Sequence, residues 1–265
     1  MGKRMTSAPV YYVLAQARFN AVVALDQYIP AIQDKLRKAG YPDFEKAFVA
    51  TINLTLGAGQ GQAVPTLQPQ PRYVFHNESR TAGFILEQSN IVFQTTEYDT
   101  FDPFLAVWMN GLKILHAAAE LSYSERIGIR FLDAVCPKPE ENIAQYLAPS
   151  LLGLFDKLQP RIHVHALSET RTQLDKTTLV GRAIIVRQEK GGAAFPPEFG
   201  PITLNLMEKF RSITGVYAIL DNDCWIEDRI KFDVDELGKR LKSLHDESRR
   251  SFDLMVTPHA LNSWN

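Results

Sequence analysis

The chain has 265 residues, with 29 Lys+Arg against 30 Asp+Glu, a net charge of −1. At 45% apolar and 22% charged it has the composition of an ordinary globular protein, which excludes a disordered, collagen-like or low-complexity chain. The balance holds in both halves, with 14 basic and 15 acidic residues up to residue 158 and 15 of each beyond it. Neither half has the basic excess that phosphate neutralisation demands of a strong non-specific nucleic-acid binder.

Two cysteines, Cys136 and Cys224, lie far apart and outside any CxxC motif. That usage fits a reducing compartment rather than a disulfide framework. No apolar run approaches the roughly 18 residues that span a bilayer, and Met1 to Pro9 lacks a signal-peptide core. A cytoplasmic protein without membrane contact is expected.

Tyr11 to Phe19 reads as a strand, with Tyr11, Val13, Ala15, Ala17 and Phe19 on one face. Leu25, Tyr28, Ile29, Ile32 and Leu36 recur at helical spacing, and Gly40 followed by Tyr41-Pro42 stops that helix. Phe48 to Leu56 alternates as a second strand. Gly57 to Pro71, rich in Gly, Gln and Pro, reads as a surface loop incompatible with a strand. Strands follow at Tyr73–His76, Phe84–Glu87 and Ile91–Thr96, the last two joined by a turn at Gln88-Ser89. Phe101, Phe104, Leu105, Trp108, Leu112, Leu115, His116 and Ala119 form the stripe of a strong helix, with Asp102 as cap and Pro103 in its first turn. A strand over Arg126–Val135 and a helical stretch from Glu140 to Leu158, broken at Pro149, complete the first part.

The second part runs as two long strands, Ile162–Leu174 and Thr178–Gln188, around a turn at Asp175-Lys176. Gly191 to Pro201 is a loop, and Thr203–Phe210 and Val216–Leu220 read as further strands. A long amphipathic C-terminal helix then buries Val234, Leu237, Leu241, Leu244, Ser248, Phe252 and Met255, with Asp233 and Glu236 at capping-box spacing and Thr257-Pro258 at its end. The pattern predicts an α+β fold of two antiparallel sheet-plus-helix modules, residues 1–158 and 159–265.

The opening Tyr12-Val13-Leu14-Ala15-Gln16-Ala17-Arg18-Phe19-Asn20, then Tyr28-Ile29-Pro30, Gly40-Tyr41-Pro42-Asp43-Phe44, Arg126-Ile127-Gly128-Ile129-Arg130-Phe131 and Leu244-His245, resembles a sporadically distributed family of uncharacterised bacterial proteins of about this length. The resemblance implies a bacterial cytoplasmic protein. It also implies horizontally exchanged genes in defence or toxin–antitoxin neighbourhoods. It brings no catalytic residue with it.

Candidate chemistry is sparse. His163 and His165 share one strand face at a spacing that suits a metal, but nothing nearby supplies a third ligand. Asp221, Asp223 and Asp228 could hold Mg²⁺ for chemistry on a phosphate-containing substrate, although Asp-Asn-Asp is also good turn chemistry. Gly57-Ala58-Gly59-Gln60-Gly61 has the glycines of a phosphate loop, but Pro65 and Pro69 follow where a helix should begin. Lys239, Arg240, Lys242, Arg249 and Arg250 lie off the apolar stripe of the last helix and could meet RNA or an acidic protein. His116 and His245 read as packed histidines. A non-catalytic binding or interaction protein is the leading expectation. It would act without a cofactor, through a protein partner or self-association, the latter as a homodimer built on edge strands. A Mg²⁺ enzyme and an RNA-binding module are the alternatives.

Overall fold

The computed structural model describes residues 5–54, 65–155, 157–158, 164–200 and 202–265, without the side chains of 50–54 and 65–68. Among the described residues nine strands form one fully antiparallel sheet. They are β1 (Val10–Phe19), β2 (Asp43–Leu54), β3 (Pro65–His76), β4 (Ala82–Glu87), β5 (Asn90–Thr95), β6 (Tyr123–Val135), β7 (His165–Leu174), β8 (Thr177–Gln188) and β9 (Gly215–Lys231). Their spatial order is β2-β3-β4-β5-β1-β6-β9-β8-β7. The helices are α1 (Leu25–Lys38), α2 (Phe101–Ala119), α3 (Val234–Met255) and α4 (Pro258–Trp264). The two expected modules are therefore one sheet. β1 pairs with β6 and β6 pairs with β9, so hydrogen bonding runs unbroken across residue 158. Composition cannot reveal this, because pairing between distant strands leaves no local signature.

One sheet face is covered by helices. On that face Val13, Ala15, Ala17 and Phe19 of β1 and Ile127 and Ile129 of β6 join the buried stripes of α1, α2 and α3 in one cluster. A second cluster brings Ala183, Ile185, Ala218 and Leu220 against Phe252, Met255, Ala260 and Trp264. The long helix ends and begins as its sequence dictates. Asp233 accepts hydrogen bonds from the Asp235 and Glu236 amides, and Thr257 caps α4 ahead of Pro258. At α2 the cap position is Thr100 rather than Asp102, which lies inside the first turn.

Gly111 of α2 faces Phe84 so closely that an added Cβ would lie 2.2 Å from its ring. Phe84 is held in turn between Tyr41 and Phe93, with ring centroids 4.9 Å away on each side. Gly111→Ala is expected to destabilise by about 1–2 kcal/mol, because overpacking outweighs the gain of about 1 kcal/mol in helix propensity. Urea unfolding measures it, and a stabilised variant would contradict this packing.

Three further sequence expectations differ from the structure. Pro65 to Pro71 is part of β3 rather than loop, while residues 55–64, including the glycine cluster, lie outside the described residues. Pro65, Pro69 and Pro71 occupy alternate positions, so their missing amides point one way, and this stretch pairs with β2 alone. Thr203–Phe210 is not a strand and includes a 3-10 turn at Glu208–Phe210. Among the described residues Glu140 to Leu158 holds only short 3-10 turns, at Ile143–Gln145 and Pro149–Leu151.

Candidate functional site: the uncovered half of the sheet

The second sheet face is only partly covered. A β-bulge at Tyr11 turns it off the Val13–Phe19 alternation onto this same face, where Tyr12 already lies. Both rings pack edge-on against Phe195, each at 5.3 Å. The Tyr11 hydroxyl donates to the Ala194 carbonyl at 2.5 Å, and the Tyr12 hydroxyl donates to Gln94 Oε1 at 2.6 Å. These contacts anchor the segment between β8 and β9 across the sheet. Ala193, Leu204, Phe210 and Ile213 seal Leu132, Ala134, Tyr217 and Ile219 beneath it. Its far end reaches the residue after β5 through a Thr96 hydroxyl bond to the Asn205 carbonyl at 2.6 Å, and β3 through a 3.1 Å contact between Thr203 Oγ1 and His76 Nε2.

At the border of this cover lies a buried ion network. Arg130 donates to both oxygens of Asp221, from Nε at 2.7 Å and Nη2 at 2.6 Å, and Arg182 adds a bond at 3.0 Å. Nη2 of Arg130 also reaches Glu198 at 2.7 Å, and its guanidinium lies 4.4 Å from the Phe199 ring centre. Burial alone would lower the Arg130 pKa, but the hydrogen bonds and charge of Asp221 outweigh it and hold the cation.

Beyond that border the sheet face is open. Register sets Trp225 of β9 opposite Gly128 of β6, where the absent side chain leaves room for the indole. The guanidinium of Arg126 lies 4.9 Å from the Trp225 ring centre and that of Arg171 lies 5.5 Å from it. Arg126 Nε is buried with no hydrogen-bond partner among the described residues. Asp223, in register with Arg130, makes no hydrogen bond among the described residues, and burial pushes its carboxyl up despite the nearby Arg130 and Arg126. An aromatic plate is thus flanked by a buried donor without a hydrogen bond, 3.9 Å from the Glu227 carboxylate, and by the part-exposed carboxylate of Asp223. A buried donor left unsatisfied is uncommon in a folded interior and marks where a ligand can complete the set.

No family model matches the chain, and no curated protein matches it.

The candidate residues named from sequence fall in different places. Asp221 and Asp223 are not in a turn. They lie within β9, which extends well past Leu220. Asp221 is fully buried and its oxygens are taken by two arginines, so it offers nothing to Mg²⁺. Asp228 lies on the helix side, where Lys176 and Arg240 bond it at 2.6 and 3.1 Å and lower its carboxyl. The three carboxylates do not converge, and no group of three metal-ligating side chains forms among the described residues. His165 is exposed at the sheet edge, while His163 lies outside the described residues. The basic positions of α3 lie on the helix layer, on the opposite side of the sheet from Trp225. Arg240 pairs with Glu236 and Asp228, Arg249 with Asp253, and Arg250 with Glu247. Lys239 and Lys242 are exposed and make no ion pair among the described residues. His245 stacks on Phe101 at 4.0 Å and His116 on Phe232 at 4.9 Å, as packed histidines do. Sequence reasoning missed Trp225, Arg126 and Arg171. Only the alternation of Asp221, Asp223 and Trp225 at every second residue could have placed the first of them on the open face.

Among the described residues no helix is long and apolar enough to cross a membrane.

Proposed function

We propose that this chain is a non-catalytic binding protein whose contact surface is the open sheet face around Trp225. The observation that carries the reading is the half-covered indole between Arg126 and Arg171, beside the unmet Arg126 Nε and the part-exposed Asp223 carboxylate. An amide-bearing segment of a partner protein suits this set. Its carbonyl accepts from Arg126, its N–H donates to Asp223, and a flat or apolar side chain covers the indole. Buried aromatic and arginine side chains are the residues that carry most of the energy in protein interfaces. The resemblance to bacterial proteins supports a cytoplasmic setting and a place in a defence or toxin–antitoxin-like system.

The charge pattern favours a protein over RNA. The arginines of this face are interleaved with Asp221, Asp223, Glu169 and Glu227, so it presents no basic field for a phosphate backbone. A Mg²⁺-dependent activity would need the three carboxylates that the fold keeps apart.

Native mass spectrometry of the protein isolated gently from its host tests the reading. The wild type is expected to carry a partner mass that Trp225→Ala lacks, with unchanged circular dichroism. A partner retained in full by Trp225→Ala, or a bare chain in both preparations, would overturn it.

A further inference from the structure

The sheet ends on β7, a ten-residue strand whose outer side no other strand covers among the described residues. Such an edge is a template for another strand. The amide of Arg187 bonds the Val164 carbonyl at 3.2 Å, which fixes the ladder. In an antiparallel pair alternate residues address the neighbour. The even positions of β7 therefore bond β8, and the backbone groups of His165, Leu167, Glu169, Arg171 and Gln173 point outward.

We propose that β7 pairs antiparallel with β7 of a second copy of this chain, across a twofold axis through Thr170. Outward residues must meet outward residues, so an axis through a residue is required and only a few registers exist. An axis at Glu169 sets Glu169 against itself, and one at Arg171 sets Arg171 against itself. Both place like charges directly opposite, which destabilises a sheet pair. The axis at Thr170 sets Glu169 against Arg171 of the partner, twice by symmetry. It also sets His165 against Asp175, Ser168 against Thr172, and Leu174 against Ala166, and it uses nearly the whole strand. Leu167 and Leu174, 57% and 73% exposed in the single chain, then gain neighbours across the axis. The two sheets join edge to edge, and their open faces lie on the same side. This pairing does not rest on the reading of Trp225, and Trp225→Ala leaves it intact.

A cysteine cross-link tests the register. Thr170 meets its own copy at a non-hydrogen-bonded position, where Cα atoms lie about 4.5 Å apart, within the range of a disulfide. In a Cys136→Ser background, which removes the exposed native thiol, Thr170→Cys is expected to form a covalent dimer under mild oxidation. Ser168→Cys, placed opposite Thr172, should not. By sedimentation velocity Glu169→Arg should be monomeric, and Glu169→Arg with Arg171→Glu should be dimeric again. A monomeric wild type, or equal cross-linking by Ser168→Cys, would overturn the proposal. So would failure of the double reversal to restore a dimer in a variant with wild-type circular dichroism, the control for the Arg182–Glu169 bond to β8 that Glu169→Arg removes.

Discussion

Replacing Arg130 with Met is expected to lower the stability of the fold by about 3–5 kcal/mol, the usual result of stranding a buried charge. Asp221 is fully buried, and Arg130 supplies two of the three hydrogen bonds to its carboxylate. Without them Arg182 alone faces that charge, because the paired strands and the segment above leave little room for water. Removing both partners should be far milder. Arg130→Met with Asp221→Leu puts apolar volume where an ion pair stood, and such replacements are often neutral. Arg182 keeps Glu169, and the half-exposed Glu198 returns to water. Urea unfolding of the two single variants and the double variant measures the coupling. A loss below about 1 kcal/mol in Arg130→Met would mean that the network is solvated, as surface ion pairs are.

Replacing Asp133 with Asn is expected to stabilise the protein above neutral pH and to leave it unchanged near pH 4. Asp133 lies on the helix-covered face of β6, 6% exposed, and burial pushes its carboxyl from 3.8 up to about 7. The charge of Asp221 adds to that rise, while Arg249, itself paired with Asp253, opposes it. The folded chain therefore keeps a proton that the unfolded chain has already lost between about pH 4 and 7. More protons bound in the folded state means that stability falls as pH rises. The contribution is complete below the unfolded pKa and is lost as pH climbs through the folded one. Three units correspond to an upper bound of about 4 kcal/mol, and relaxation around the site brings the expected gain of Asp133→Asn at pH 8 to about 2 kcal/mol. Partly buried His245, its pKa lowered by desolvation, titrates in the opposite sense in both proteins, so the difference between variant and wild type isolates Asp133. A destabilised variant at pH 8 would show that the ionised carboxylate has a good partner.

Much of the architecture is legible in the sequence. The stripe of α3 runs from Val234 to Met255 as its spacing dictates, with Asp233 as its cap. The β4–β5 and β7–β8 turns fall at Gln88-Ser89 and Asp175-Lys176, with Asp175 at positive φ. What local pattern could not carry was long-range. Leu132 and Asp221 are neighbours only because β6 and β9 pair across the chain. The bulge at Tyr11 moves that tyrosine to the face opposite that of Val13, beside Tyr12, which strict alternation cannot anticipate. The candidate site was hidden for a related reason. Asp-Asn-Asp has the composition of a turn, but Arg130 and Arg182 from neighbouring strands neutralise Asp221 and allow the strand to continue through it. The indole of Trp225 gains its two arginines from β6 and β7, far away in sequence.

Trp225 also provides the most direct test of the binding face. Trp108 is fully buried and Trp264 is 6% exposed, so acrylamide quenching of tryptophan fluorescence reports mainly on Trp225. Quenching is measured on the protein as isolated and again after it has been stripped of bound material in high salt. The account predicts a quenchable component that appears on stripping, falls again when the stripped material is restored, and is absent from Trp225→Phe throughout. Equal quenching of the bound and stripped protein would place the partner elsewhere and contradict the assignment of this face.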